Sequence, residues 1–453
     1  MRSQRFRKEL LCAVLNRRAK VAAAAAAAGG AATAAIAESL IPAQSPDFTS
    51  KDGMFDWDAH VGRMTEKDFK LRYRVTSKAF HDDLLPKLWD RLVLTGDSLS
   101  HARKVVSPAV KLAITLRFMA GGEVVDLKEI YRVDRSYVYT CLWQCVDAIN
   151  DTFKKPFPIS DRAKLDRLER EFRAKSRGGI WEGQVGAIDG VHIYMQGPNL
   201  KDCPKPMKYY VQRKGHFALL CMAVCDADRR FTYHDISQEP TTHDSLAWLA
   251  SELGRQVDAG MLPAPYFFAG DAAFSPTPSM MTPSGGADGL DDYDFHQSSN
   301  RMPIECAFGI LIRRWAVLYK PLRVAFHRCA PLITACMHMH NFCIDHRIHD
   351  ETRENHETGV SEIQPDRWAV TPLFDKEGRP VEHLQIERGK PVAGGSTDVC
   401  DPKYAMRYYL AAKIAERGLH REQLPRNVVR KQRGKRGRKK KAAAAGGHKK
   451  KKQ

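Results

Sequence analysis

Long apolar runs are missing from this 453-residue chain. No window supplies the roughly 20 strongly apolar residues that a membrane-crossing helix needs, so no membrane span is expected. The Ala-rich segment Val21–Ala37 is only weakly apolar and is interrupted by Gly29 and Gly30, so it does not read as a secretory signal. Residues 1–37 are basic, with Glu9 the only acid, which leaves an organelle transit peptide as the alternative. Eleven cysteines are too few for a disulfide framework in a chain of this length. Cys141/Cys145 and Cys221/Cys225 lack a matching second pair at zinc spacing, and the expected state is reduced, buried, inert thiols in an intracellular protein. Acids are missing from the end of the chain: residues 426–453 hold 14 Lys/Arg and none. Residues 1–20 hold 7 Lys/Arg against one Glu. These two segments account for the whole net charge of +19, so the body between them is close to neutral and its surface cannot be judged from the overall pI.

What remains is globular: 43% hydrophobic and 28% charged residues rule out a mainly disordered chain, and the length argues for two to four domains. Residues 1–50 read as a low-complexity disordered tail. Residues 56–150 have helical period, with Phe80, Leu84, Leu85, Leu88 and Leu92 on one face. Within them, a short helix over 127–131, a turn near Val133–Asp134 and a longer helix from Arg135 or Ser136 have helix–turn–helix spacing, with Ser136 as the N-cap. An ordinary helical hairpin is the competing reading. Arg132, Arg135 and Tyr137 would meet phosphates or bases if the second helix entered a groove. Residues 151–180 form a charged, helical connector. Gln184–Met195, Phe217–Asp226 and Arg230–Asp235 then read as strands, Thr242–Val257 as a helix and Tyr266–Ala269 as a short strand. Residues 275–299 read as a loop, and helices follow over 301–318 and 329–344. The expected fold class is α/β, a mixed sheet flanked by helices, behind an all-helical N-terminal domain. Residues 347–425 are polar, with a helix over 403–417, and 426–453 form a disordered Lys/Arg tail.

Three acids stand where a carboxylate is expensive. Asp189 interrupts an apolar strand, Asp271 follows the strand ending at Ala269, and Glu305 borders the apolar stripe of its helix. Singly, a turn Asp, an N-cap or a solvated Glu explains each. Together, three converging carboxylates are what a two-metal phosphodiester site requires, because Mg²⁺ takes hard oxygen ligands and keeps several waters.

Six segments in order resemble the DDE-type endonuclease domain of the Harbinger/PIF transposases and their domesticated relatives. They are GAIDGVHI (Gly186–Ile193), VQRKGHFALLCMAVCDADRRF (Val211–Phe231), TTHDS (Thr241–Ser245), AGDAAF (Ala269–Phe274), NRMPIECAFGILIRRWAVL (Asn300–Leu318) and MHNF (Met339–Phe342). The resemblance covers about 180–345 and implies a ribonuclease-H-like endonuclease domain over 181–346. It implies a catalytic and metal-binding triad of Asp189, Asp271 and Glu305, with two Mg²⁺ or Mn²⁺ ions. The activity it implies is hydrolytic cleavage of DNA and, in a complete transposase, strand transfer. Val191, Thr241 and His296 depart from the family's usual Thr, Gly and Asn, and none of them removes a metal ligand.

Other residues carry paired readings. Arg213 and Lys214 are DNA contacts or a decorated turn. His243 and Asp244 are an outer pair orienting water or a metal ligand, or simply an N-cap. Arg313 and Arg314 could hold DNA or form a solvated face. His338, His340 and Cys343 suggest zinc, but their apolar helix favours core packing. The Lys/Arg tail suits nuclear import and sequence-independent DNA attraction. The reading is a nuclear DDE nuclease with DNA as partner, no membrane association, a Myb-like DNA-binding partner protein and homo-oligomers in prospect. The rival is a domesticated DNA-binding protein that no longer cuts.

Overall fold

The computed structural model describes residues 55–93, 106–285, 287, 289–348, 352–354, 361–363 and 404–419. The low-complexity segment 1–50, the Lys/Arg tail 426–453 and most of the polar region 347–425 lie outside the described residues. By internal contacts the chain divides into two compact units. One comprises residues 1–154, 194–206 and 310–372, and the other 155–193, 207–309 and 373–453.

In the first unit, side-chain caps fix where helices begin. Helices α1 (Trp57–Val61), α2 (Glu66–Tyr73), α3 (Ser77–Ala79), α4 (Leu85–Leu92) and α5 (Pro108–Met119) come first. A capping box between Thr65 and Asp68 opens α2, and Ser107 accepts from the Val110 amide at the start of α5. Next come α6 (Val124–Tyr131) and α7 (Arg135–Phe153), separated by a turn in which Arg132 takes the left-handed conformation at φ 52°. The helix–turn–helix spacing is therefore present as helix, turn and helix. The N-cap is Asp134 rather than Ser136, which lies inside the first turn of α7. Val138, Cys141, Leu142, Cys145, Val146 and Ile149 form the buried face of α7, as their period required. That helix packs on α4, α5 and α12 (Phe326–Asp345), and the Asn150 amide donates to Pro331 O at 3.0 Å. Arg135 and Ser136, at its start, are exposed.

The second unit opens with the connector, whose helix α8 spans Arg162–Lys175. Its sheet has strands β1 (Gln184–Met195), β2 (Tyr210–Val211), β3 (His216–Cys225), β4 (Phe231–Asp235), β5 (Phe267–Ala269) and β6 (Met280–Met281). Their order is β2-β3-β1-β5-β6, with β4 paired to β3. β3 and β4 are antiparallel, whereas β1 with β5 and β5 with β6 are parallel, so the sheet is mixed. Asp226 shapes the β3–β4 turn by accepting from the Asp228 and Arg230 amides, both at 2.8 Å.

Alternation along β5 distributes the core to both faces. Phe268 joins Ile188, Leu220, Val224 and Leu168 of α8 on one side, with Trp248 from α9 (Asp244–Ala250) and Val257 from α10 (Glu252–Asp258). Phe267 joins Trp181, Met281 and Tyr293 on the other, with Leu410 and Ile414 from α13 (Ala405–Glu416). Arg407 anchors α13 by donating to Thr282 O and Pro283 O, both at 3.2 Å. Covered on both faces, β1 is buried over its first six residues, which explains its nearly continuous apolar run.

Three boundaries differ from the sequence reading. The helix expected over 242–257 is two helices, because Ser251 breaks the first and caps the second, its hydroxyl accepting from the Gly254 amide at 3.0 Å. The expected loop 275–299 contains β6 and the beginning of α11 (Asp291–Arg314). This helix starts well before the expected 301: Tyr293 and His296 are buried in a stretch that is otherwise mostly polar, which hydropathy alone assigns to a loop. A 3-10 turn over Ala316–Leu318 replaces the expected helical end. Nine cysteines are described, all without disulfides, and burial pushes the Cys141, Cys145, Cys221 and Cys329 thiols up to about 12, which keeps them unreactive. No described helix is long and apolar enough to cross a membrane.

Gly186 is required by close packing: a Cβ there would stand 2.4 Å from Val224 Cγ1 and 2.9 Å from Phe268 Cδ1. Gly186→Ala is therefore expected to destabilise the fold by about 1–3 kcal/mol, the usual cost of overpacking. A denaturant midpoint equal to that of the parent would refute this account of the β1–β3–β5 packing.

Candidate active site

Strand register brings the first two acids together. Ala187 on β1 pairs with Ala269 on the parallel neighbour β5, so Asp189 and Asp271 each lie two residues beyond the same pair. Side chains alternate with period two and adjacent strands run about 4.8 Å apart, which sends both carboxylates toward one place beyond β5's end. Asp189 is 3% exposed. One of its oxygens accepts from the Gly190 amide at 2.8 Å and the other from Arg301 Nη1 at 3.1 Å. Asp271 accepts from the Ala273 amide at 2.9 Å, in the turn that follows β5.

Glu305 reaches the same cluster through Arg301, one helical turn earlier on α11. The Arg301 guanidinium donates through Nη1 to Asp189 and through Nη2 to Glu305, so a single cation joins acids from a strand and a helix. A fourth acid is close by. A Cβ on Gly190 would lie 3.0 Å from Asp244 Oδ1, so the Asp244 carboxylate stands close against the backbone beside Asp189. His243 occupies the N-cap position of α9, yet its ring Nδ1 meets Ser245 Oγ at 2.9 Å rather than a helix amide. The two readings of His243 and Asp244 thus part: His243 caps by position only, and Asp244 belongs with the acids.

Charge is crowded here. Burial, reinforced by Asp271 and Asp244, pushes the Asp189 carboxyl up to about 7, against the opposing pull of Arg301. Burial and Asp271 raise Asp244 to about 6. Lys214 stands at the near side of the cluster, before the left-handed Gly215 at φ 67°, with Nζ 3.4 Å from His192 Nδ1. Burial and then Arg213 lower the Lys214 ammonium, and burial and then Lys214 lower His192 to about 4, which leaves that imidazole neutral. Arg213 is exposed on the same short turn.

The donor set is chemically suited to a hard divalent cation, since Asp189, Asp271 and Glu305 all present carboxylate oxygens and a buried carboxylate demands a counter-charge. At present the counter-charge on two of them is Arg301. Among the described residues no group of three or more His, Cys, Asp or Glu side chains is arranged to hold a metal as it stands. His338, His340 and Cys343 are buried on the apolar α12, in the core arrangement expected over zinc. Arg314 is buried and donates to Ile348 O at 2.9 Å, so it tethers the chain rather than facing solvent, whereas Arg313 is exposed.

The sequence reading missed Arg301. Its signal was an Arg four residues before the helical Glu, a spacing that pairs side chains on one helix face. Nothing local pointed to its second partner 112 positions away.

The segment that carries these acids is similar to known proteins. Residues 188–341 match the family model of the DDE superfamily endonucleases. The chain is also similar to the protein named "Putative nuclease HARBI1" in several animals. It is 25% identical to that of Mus musculus over 264 residues, covering 56% of this chain and 73% of the relative. It is 23% identical to that of Xenopus laevis over 314 residues, covering 66% and 84%. It is 24% identical to that of Homo sapiens over 264 residues, covering 56% and 73%. No solved structure matches. The acids of β1, the β5 turn and α11 all lie inside the matched segment, and over that segment the chain is similar to the DDE superfamily endonucleases, as its sequence motifs implied.

Proposed function

We propose that this chain is a Harbinger-like DDE nuclease that hydrolyses DNA phosphodiester bonds with Mg²⁺ or Mn²⁺. The observation that carries the reading is the register match of Asp189 with Asp271, together with the Arg301 link from Asp189 to Glu305. The mixed sheet, helix-covered on both faces, supports a ribonuclease-H-like assignment of residues 181–346. Asp189, Asp271 and Glu305 are the catalytic residues and the holders of two divalent cations. When bound, such ions supply Lewis acidity toward the phosphate and a nucleophilic oxygen from water or, in strand transfer, from a 3′-hydroxyl. The β1 backbone fixes Asp189, whose burial limits its hydration, and the turn after β5 fixes Asp271 through the Ala273 amide, so both carboxylates are positioned for a cation. Asp244, held close by Gly190, orients a metal ligand or water from behind, and His243 steadies that helix start.

Arg213 and Lys214 contact the phosphates of bound DNA beside the acids, and Arg135, exposed at the start of α7, contacts DNA from the helix–turn–helix. DNA is the partner, a Myb-like protein and a second copy of the chain are further ones, and the Lys/Arg tail directs the protein to the nucleus.

The reading is tested by incubating supercoiled plasmid with the full chain and Mn²⁺, which is expected to give nicked circles. DNA binding without nicking across Mg²⁺, Mn²⁺ and varied substrates would favour the rival, a transposase-derived DNA-binding protein without cleavage. Removing residues 426–453 is expected to flatten the dependence of DNA affinity on salt, by a slope of about 0.9 for each phosphate that the tail neutralises. An unchanged slope would mean that the tail does not touch DNA.

A further inference from the structure

Arg301 holds the place that the proposed chemistry needs for a cation. Its two guanidinium nitrogens neutralise Asp189 and Glu305, two of the three acids assigned to the metals. A divalent ion shared by those acids lies about 2.0–2.1 Å from its oxygens when it is Mg²⁺. At that range a guanidinium still bound to the same oxygens would be repelled by the ion. The bridge is therefore incompatible with a loaded site, and its geometry shows where Arg301 can go. Its side chain is 12% exposed and its partner Glu305 is 34% exposed, so the outer end of the bridge reaches solvent. Arg301 and Glu305 lie one turn apart on α11, so a rotamer change moves the guanidinium without moving the helix. A planar fork of donors also matches phosphate oxygens as well as it matches carboxylates.

We propose that Arg301 is an exchangeable counter-cation: it holds Asp189 and Glu305 in the metal-free protein and transfers to a phosphate of bound DNA when divalent metal takes those acids. This inference rests on the metal-binding reading of the triad and adds a consequence to it. Metal and DNA bind with positive coupling, because each stabilises the position of Arg301 that the other requires. Without DNA, Arg301 competes with the metal. With DNA, the phosphate supplies the partner that the released guanidinium needs. Arg301 is thus a positioning residue in the empty site and a substrate contact in the loaded one.

The test measures Mn²⁺ affinity of the full chain by calorimetry, with and without a short DNA duplex, after subtraction of Mn²⁺ taken up by the DNA alone. Arg301→Gln is expected to bind Mn²⁺ about tenfold more tightly than the parent in the absence of DNA, and to show no further gain when DNA is added. The parent is expected to gain about tenfold on adding DNA. Arg301→Lys, which keeps the charge without the fork, is expected to fall between them, and thermal unfolding of all three confirms that each is folded. Equal Mn²⁺ affinity in the parent and Arg301→Gln would overturn the exchange while leaving the metal site standing. An absence of Mn²⁺ binding in every variant would overturn both the triad's metal role and the exchange.

Discussion

Alanine at Asp189, Asp271 or Glu305, introduced one at a time, is expected to reduce Mn²⁺-dependent nicking by about a thousandfold or more, which corresponds to roughly 4 kcal/mol of transition-state stabilisation. The three should fail alike, because carboxylates that hold ions in one cluster act as a unit and their effects do not add. A double variant such as Asp189→Ala with Glu305→Ala should therefore be little worse than either single change. Asp244→Asn provides the contrast. Its carboxylate approaches the Gly190 backbone beside Asp189, and an orienting group of this kind is worth about 10–100-fold. Arg213→Ala should weaken DNA binding without removing the chemistry. Cleavage that survives all three alanine changes would mean that another site, or another protein in the sample, cuts the DNA.

Asp189→Asn is expected to stabilise the metal-free protein at pH 8 by on the order of 3 kcal/mol, which opposes its effect on activity. The sign follows from the direction of the shift. Burial raises the Asp189 carboxyl to about 7 in the folded chain, above its ordinary carboxylate value. Through the window from about pH 4 to 7 the native state binds more protons than the unfolded one, so the contribution of Asp189 to stability falls as pH rises and levels off above 7. Asparagine removes the ionisation and retains an oxygen for the Gly190 amide, so the variant's advantage should vanish near pH 4 and be full at pH 8. Added Mn²⁺ should raise the melting temperature of the parent at pH 8 and not that of the variant. A variant less stable than the parent at pH 8 without metal would show that the Arg301 pair outweighs the burial of this carboxylate.

The elements that carry the site were legible because their local signals agreed with their tertiary surroundings. The apolar run of β1 could be bounded at Gln184 and Met195 because it is buried on both faces. The strand before Asp271 was visible because Phe267 and Phe268 serve opposite faces of one sheet. The beginning of α11 was not legible. Asp291–Asn300 is mostly polar in sequence, and the burial of its inward residues comes from contacts made elsewhere, such as the His296 ring meeting Leu419 O at 3.0 Å across 123 positions. Ser251 was equally opaque, since a Ser between two helical stretches reads as one more helical residue until its cap is seen.

Three acids, the order of the strands and helices around them and the charge of the two tails followed from the order of residues alone, because each rests on composition or on a period of two or four. Their arrangement did not. Asp189 and Asp271 come into register through the parallel pairing of β1 with β5, and Asp189 is linked to Glu305 through Arg301. Asp244 stands beside them, close against Gly190. Likewise α12, which follows the Glu305 helix in the chain, packs with α7 from the N-terminal helices. Contacts across a hundred or more positions depend on which apolar faces bury one another, and no local pattern encodes that choice.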